Sequence, residues 1–302
     1  MISSTVVKTL EEWIPTENIH REEPMSRHTT FRIGGNADCL LQIESAEQLS
    51  KVKKYLKTLE IPYFVIGNGS NLLVSDEGYA GVILAVAERM SDVKVEGNRI
   101  IAQAGAPMSK IARVALENSL TGFEFASGIP GTIGGGVVMN AGAYDGELKQ
   151  VVTLVKVVDE DGNLLELDNE TMEFGYRTSA IKNSQFTAVE VHIELQPGDK
   201  EAIRARMDEL AAKRREKQPL EYPSAGSTFK RPEGHFAGAL IMNAGLRGFQ
   251  IGDAQVSEKH CGFVINKGKA TAADVLDLIA HVQKEVKDRF DVELEPEVII
   301  LK

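Results

Sequence analysis

FASGIPGTIGGGVVMNAGAY (residues 125–144) decides how this chain is read. Gly128, Gly131, Gly134, Gly135, Gly136 and Gly142 place six glycines within fifteen residues, and no side chain from Phe125 to Tyr144 is charged. A flexible linker is usually more polar and more repetitive. Ile, Val, Met and Ala are interleaved here, which predicts an ordered, buried segment whose bare backbone can approach a ligand closely. Such a segment suits a wrap round a large, partly apolar cofactor carrying a pyrophosphate. The alternative is a glycine-rich core turn.

A second small-residue segment, VIGNGSNLL (65–73), closes the apolar run IPYFVIG (61–67). Amides bared in such a turn can bind phosphate; a plain strand-ending turn is the competing reading. Neither segment carries a standard nucleotide fingerprint. Gly67-x-Gly69 lacks the third glycine of the dinucleotide motif, Met139 stands where Gly134-x-Gly136 would need it, and GxxxxGK[ST] does not occur.

Outward from these segments, local patterns predict an α+β chain. Residues 34–44 and 61–66 read as strands around a helix from Ser45 to Leu59, with Ser45 and Gln48 as a capping box and Leu49, Val52, Leu56 and Leu59 on one face. Residues 93–105 and 153–167 read as hairpins turning at Glu96-Gly97-Asn98 and Asp161-Gly162-Asn163. Met108–Asn118 and the charged stretch Lys200–Gln218 read as helices, and 186–195 as a strand. Strands follow near 249–266. Thr271–Phe290 is a helix with Thr271 and Asp274 as a capping box and Val275, Leu278, Ile279, Val282 and Val286 facing a core. Glu297–Leu301 ends the chain as a β-like run.

The 302 residues carry a formal net charge of −10, which opposes a general nucleic-acid role. The start, MISSTVVKTLEEWIP, lacks a basic segment followed by an apolar one, and no run approaches the roughly 18 apolar residues of a membrane span. Cys39 and Cys261 form neither a CxxC pair nor a zinc-spaced cluster. These features predict a cytoplasmic, soluble enzyme without a metal site or a membrane partner.

Three further segments carry chemistry. In GYRTS (175–179), Arg177 can fork onto a carboxylate or enolate oxygen, or salt-bridge at a surface. In SAGSTFK (224–230), small neighbours leave the Ser227 hydroxyl exposed; no GxSxG elbow surrounds it, and a turn or capping serine is the alternative. EPEV (295–298) reads by itself as a solvated strand edge.

Together and in this order, these segments closely resemble the UDP-N-acetylenolpyruvoylglucosamine reductases. HTTFRIGG (28–35) resembles the family's opening motif, and AQVSEKHCGFVIN (254–266) completes the match over roughly residues 25–301. The resemblance implies a FAD-binding region of the vanillyl-alcohol-oxidase (PCMH) type in two α+β subdomains, then an α+β substrate domain. It places a helical lead-in at 1–26 and the FAD-binding domain at 27–198, with subdomains of about 27–90 and 91–198. A helical linker at 199–218 and a substrate-binding domain at 219–302 follow.

The resemblance also implies the reaction. NADPH reduces non-covalent FAD, hydride passes from flavin N5 to C3 of an enolpyruvyl group, and a proton reaches C2 to give UDP-N-acetylmuramate for peptidoglycan. Ser227 matches the proton donor, and Arg177 and Glu297 match the residues supporting the enolate. A bare carboxylate would repel that enolate, so Glu297 is expected to act protonated or through a hydrogen bond, with a raised pKa in the complex. Flavin contacts fall to Gly67, Asn68, Gly69, Ser70, Asn71, Gly128, Ile129, Pro130, Gly131, Gly134, Gly135, Ala141 and Gly142. Tyr176, Lys217 and Lys230 are the substrate candidates, with Arg214 a further one for the diphosphate.

The sequence departs from the family at Ile299, where many members are basic, and at Ala239–Asn243, which is more apolar. The short stretch between Leu195 and Glu221 resembles the shorter branch, with a more open substrate site. A monomer acting on a UDP-sugar is expected. Rival readings are an oxidase of the same superfamily acting on a sugar or aldonolactone, and a non-catalytic UDP-sugar-binding protein.

Overall fold

A computed structural model describes residues 2–302. The chain divides into two compact units, each assembled from separated stretches. The first takes Met1–Arg21, Asp38–Asn68 and Ala80–Arg214; the second takes Glu22–Ala37, Gly69–Tyr79 and Arg215–Lys302.

Two sheets fall mainly within the first unit. One is four-stranded, in the order Ile19–Pro24, Asn36–Gln42, Tyr79–Ala85, Tyr63–Ile66, and its last two strands run parallel. The helix Ala46–Thr58 connects the strand Asn36–Gln42 to the strand Tyr63–Ile66. Ser45 accepts the amide of Gln48, whereas the Gln48 side chain takes the amide of Glu44, one residue further back than a capping box requires. Leu49, Val52 and Leu56 are buried as their spacing predicts. Leu59 is not: the helix ends at Thr58, so Leu59 becomes the C-cap and lies 43% exposed. In its place the buried face includes Lys53, whose ammonium donates to the carbonyls of Val158 (2.8 Å) and Gln185 (2.6 Å) and to Thr187 Oγ1 (3.1 Å).

The other sheet is antiparallel throughout, in the order Leu164–Asp168, Val152–Val158, Thr187–Glu194, Arg99–Gln103, Val93–Glu96. Both expected hairpins are present in it, because each is closed by a local turn with Gly97 or Gly162 at positive φ. The helix Met108–Glu117 also matches its expected span. Within the glycine run, Ile133–Val138 is a short helix packed on the strands Thr187–Glu194 and Arg99–Gln103, an element the sequence reading did not anticipate. Glycine is a poor helix former, by about 1 kcal/mol against alanine, so tertiary bonds must hold this turn. Thr132 caps it by accepting the Gly135 amide (3.3 Å), and the amides of Ile133 and Gly134 donate to the carbonyls of Ala106 and Ala104, both at 2.8 Å.

The second unit has its own core, in which Phe31, Ile33 and Leu73 pack with Val275, Leu278, Ile279, Val282 and Val286. The last five belong to the helix Ala272–Phe290, and its capping box is complete: Thr271 Oγ1 accepts the Asp274 amide and the Asp274 carboxylate accepts that of Thr271. Asp76 adds a second cap, its two oxygens accepting the amides of Ala272 (2.8 Å) and Ala273 (2.9 Å). Three short strands, Gln250–Ile251, Ala254–Val256 and Val264–Asn266, form an antiparallel sheet. The apolar stretch near Ala239 is a helix, Ala237–Asn243, with Leu240 and Ile241 buried. The expected terminal strand is shorter than read: Ile299–Leu301 pairs in parallel with Leu72–Val74.

Candidate active site

Glycines of the 125–144 segment divide by what surrounds them. A Cβ on Gly134 would stand 2.7 Å from that of Ala104, and one on Gly136 would stand 2.9 Å from Leu148, so both are demanded by packing. Gly135, between them, is exposed, and a Cβ there would meet only Thr132 Oγ1 at 3.6 Å. Gly128 and Pro130 are exposed as well, while Ile129 and Gly131 are half-buried and Ala141 is buried. Gly67 approaches the same stretch, since its Cβ would lie 2.3 Å from Thr132 Oγ1. The first unit therefore presents a strip of uncharged, side-chain-free backbone over a packed floor.

Arg214 flanks this strip. Its Nη1 would lie 3.2 Å from a Cβ on Gly128, and burial lowers its pKa while the nearby Tyr144 opposes that shift. Arg177 belongs to the same unit. It is half-buried at φ +55°, its Nη2 donates to the Gly142 carbonyl (3.3 Å), and its guanidinium lies 5.2 Å from the exposed Tyr176 ring.

In the second unit, Gly69 holds φ +58°, and a Cβ there would strike the His28 carbonyl at 2.0 Å. The opening motif is thereby explained. Thr30 donates its amide to the Gly69 carbonyl (3.3 Å) and its hydroxyl to the Ser224 carbonyl (2.7 Å), while Gly34 and Gly35 fit against Val74 and Asp76. Asn71 donates to the Glu297 carbonyl (3.1 Å) and accepts the Ile299 amide (2.9 Å).

Glu297 pairs through its backbone with Thr228, the residue after Ser227. The Glu297 amide donates to the Thr228 carbonyl, and the Lys230 amide to the Glu295 carbonyl, each at 2.8 Å. Ser227 is exposed after Gly226, which turns at φ +76°, and Glu297 is half-buried. Thr228 is the anchor that sequence reasoning missed. It is 1% exposed, its amide donates to the Gly262 carbonyl (2.8 Å), and its Oγ1 accepts the Val264 amide (2.9 Å). Lys230 forms an ion pair with Glu295, whereas Lys217 is exposed. Ile299 turns a 38% exposed apolar side chain outward where a basic one was expected. Among the described residues no cluster of His, Cys, Asp and Glu could hold a metal ion, and no helix is long and apolar enough to cross a membrane.

The C-terminal domain of UDP-N-acetylenolpyruvoylglucosamine reductases matches residues 218–301, and an FAD binding domain matches residues 37–168. The UDP-N-acetylenolpyruvoylglucosamine reductase of Clostridium perfringens (strain SM101 / Type A) is 52% identical over 294 residues, 97% of this chain and 96% of its own. This chain belongs to the UDP-N-acetylenolpyruvoylglucosamine reductase family. A member from Caldanaerobacter subterraneus subsp. tengcongensis is 51% identical over 300 residues, 99% of each chain. The crystal structure of the family's Thermus caldophilus member superimposes with a TM-score of 0.81 at 35% identity, over 92% of this chain and 97% of that one. Alkyldihydroxyacetonephosphate synthase shares the fold alone, with a TM-score of 0.51 at 14% identity over 65% of this chain and 41% of its own. The fold class is α+β with a PCMH-type FAD-binding region, as the motifs implied. The residues present fit that cofactor: Gly135 is a glycine that packing does not demand, on a strip free of charge.

Proposed function

We propose that this chain carries out the NADPH-dependent reduction of UDP-N-acetylenolpyruvoylglucosamine to UDP-N-acetylmuramate, acting in the cytoplasm as a monomer on a peptidoglycan precursor and so serving cell shape and division. It is an FAD-dependent oxidoreductase. Bound FAD would supply the redox chemistry that links NADPH to reduction at C3 of the enolpyruvyl group. Gly67, Asn68, Gly69, Ser70 and Asn71, with Gly128, Ile129, Pro130, Gly131, Gly134, Gly135, Ala141 and Gly142, would hold the cofactor, and Arg214 is the charged side chain beside Gly128.

Reduction at C3 drives negative charge into the substrate carboxylate. Arg177 answers that charge with a cation held in place before the reaction, the arrangement that lowers such barriers most. Ser227 gives its hydroxyl proton to C2. A serine alkoxide is a strong base, so the oxygen regains its proton from water at the exposed face. Glu297 supports the enolate as a protonated acid or through a hydrogen bond, because an ionised carboxylate would oppose it. Tyr176 and Lys217 contact the substrate, Lys217 at the diphosphate. Lys230 can join only by giving up Glu295.

The observation that supports these roles best is the backbone pairing of Glu297 with Thr228, the residue next to Ser227, within one unit. The test is an anaerobic visible spectrum of the purified protein. Flavin bands that bleach with NADPH and return with UDP-N-acetylenolpyruvoylglucosamine support the proposal. Bands that return only with oxygen assign an oxidase instead. A protein that stays colourless after FAD reconstitution leaves a UDP-sugar-binding protein.

A further inference from the structure

Arg177 sits in a backbone conformation that arginine rarely adopts, φ +55°. Something must hold it there. The flanking residues supply one constraint, because Gly175 and Thr178 exchange backbone hydrogen bonds of 3.1 and 3.4 Å and close a tight turn round Tyr176 and Arg177. That closes the turn but does not orient it.

Orientation comes from Asn140. Its Nδ2 donates to the Gly175 carbonyl (3.0 Å) and to Glu147 Oε2 (3.1 Å), and its Oδ1 accepts the Lys149 amide (2.9 Å). Both donor hydrogens and the acceptor are thus engaged on a side chain only 1% exposed. Asn140 is itself at φ +44°, a conformation asparagine tolerates better than most residues. Two further ties run the same way. Ser179 Oγ donates to the Val138 carbonyl (2.9 Å), and Lys182 Nζ to the Arg177 carbonyl (2.7 Å). The residues that Asn140 and Ser179 connect, 138–142 and 175–179, are the end of the glycine segment and the arginine turn.

We infer that Asn140 is a positioning residue: it fixes the Arg177 guanidinium relative to the cofactor segment, so that the cation stands where charge develops in the substrate. Glu147 and the Lys149 amide keep the asparagine amide from flipping, since a flipped amide would present its oxygen to a carboxylate and a carbonyl and its nitrogen to an N–H. This inference rests on the proposed role of Arg177.

Asn140→Gly tests it, because glycine accepts φ +44° and only the side-chain bonds are lost. The holoenzyme is reduced anaerobically with NADPH, then reoxidised with UDP-N-acetylenolpyruvoylglucosamine in a stopped-flow instrument. Misplacement of a catalytic group by about 1 Å costs on the order of 100-fold. Asn140→Gly should therefore slow reoxidation about 10- to 100-fold, leave flavin reduction by NADPH at the parental rate, and add no further slowing in an Arg177→Ala background. If Arg177→Ala is slow but Asn140→Gly reoxidises at the parental rate, the positioning role is overturned. Equal slowing of both half-reactions, or full additivity with Arg177→Ala, also overturns it, because a general structural defect would do that. If Arg177→Ala reoxidises at the parental rate, the role of Arg177 falls, and the inference with it. Should Asn140→Gly fail to retain flavin, Ser179→Ala cuts the second tie and carries the same test.

Discussion

Arg177 and Ser227 are held by opposite means. The Arg177 turn is fastened by side chains reaching across to carbonyl groups, from Asn140, Ser179 and Lys182. Ser227 and Glu297 ride on main chain paired to main chain, with the Thr228 hydroxyl beneath and the Asn71 side chain on the Glu297 carbonyl. The same contrast runs through the two units. In the first, Lys53 gathers three acceptors and Asn169 donates to the carbonyls of both Lys149 and Val152. In the second, the parallel strand pair and the Thr228–Glu297 pair supply the frame. Side-chain ties can place a group at an unusual φ, but a single substitution removes them. Backbone pairs survive most substitutions and allow fewer geometries.

The contrast can be strained in order of effect. Ser227→Ala removes the proposed proton donor while leaving its backbone pair intact. Substrate-driven flavin reoxidation should slow by about 10²–10⁴ with no loss of thermal stability, as measured by stopped-flow and a melting curve together. A stability loss there would mean that the hydroxyl, and not the backbone, holds the segment. Thr228→Val attacks the anchor and leaves the buried Val264 amide without its acceptor. We expect a loss of about 1–3 kcal/mol in denaturant unfolding, larger than its effect on flavin reduction by NADPH.

Lys53→Met probes a side-chain tie through pH. Burial pulls the Lys53 pKa down to about 8, against the pull of Asp159 and Glu160, while an unfolded lysine titrates near 10.4. Between those values the folded chain binds fewer protons than the unfolded one. The stability of the parent relative to Lys53→Met should therefore rise as pH climbs from about 8 to about 10.4, and be lowest and flat below that interval. A difference independent of pH would remove the buried ammonium from the account. Glu295→Ala, which deletes the exposed partner of Lys230, should cost less than about 1 kcal/mol by chemical denaturation, because the backbone pair beside it remains.

Much of this was legible because it is local. The Thr271 capping box, the Gly97 and Gly162 turns and the periodic helices each depend on residues within a few positions. The glycine segment was legible as ordered backbone, yet its helix was not. Three consecutive glycines argue against helix, and what reverses the argument is a pair of carbonyls on Ala104 and Ala106, far outside any local window. The proposed site residues Arg177, Ser227 and Glu297 stand in motifs that the resemblance singled out. Asn140 was not legible in this way, since an asparagine beside small residues reads as a turn former and its three bonds reach Glu147, Lys149 and Gly175. Leu59 shows the reverse error, where an extra apolar match to the helical period fell one residue past the helix end.

The parallel pair between Leu72–Val74 and Ile299–Leu301 sets the order in which the molecule can be assembled. The Asn71–Glu297 bond beside it spans 226 positions, so the loop it closes carries a large entropic debt that neighbouring contacts must offset before it forms. Hairpins and short crossovers of the first unit close early, whereas the second unit needs chain from both ends and has a high contact order. A refolding experiment should therefore separate a fast phase in the first unit from a slow phase in the second. Segment 69–71 and residues 227 and 297, which belong to the second unit, would reach their native geometry in the slow phase.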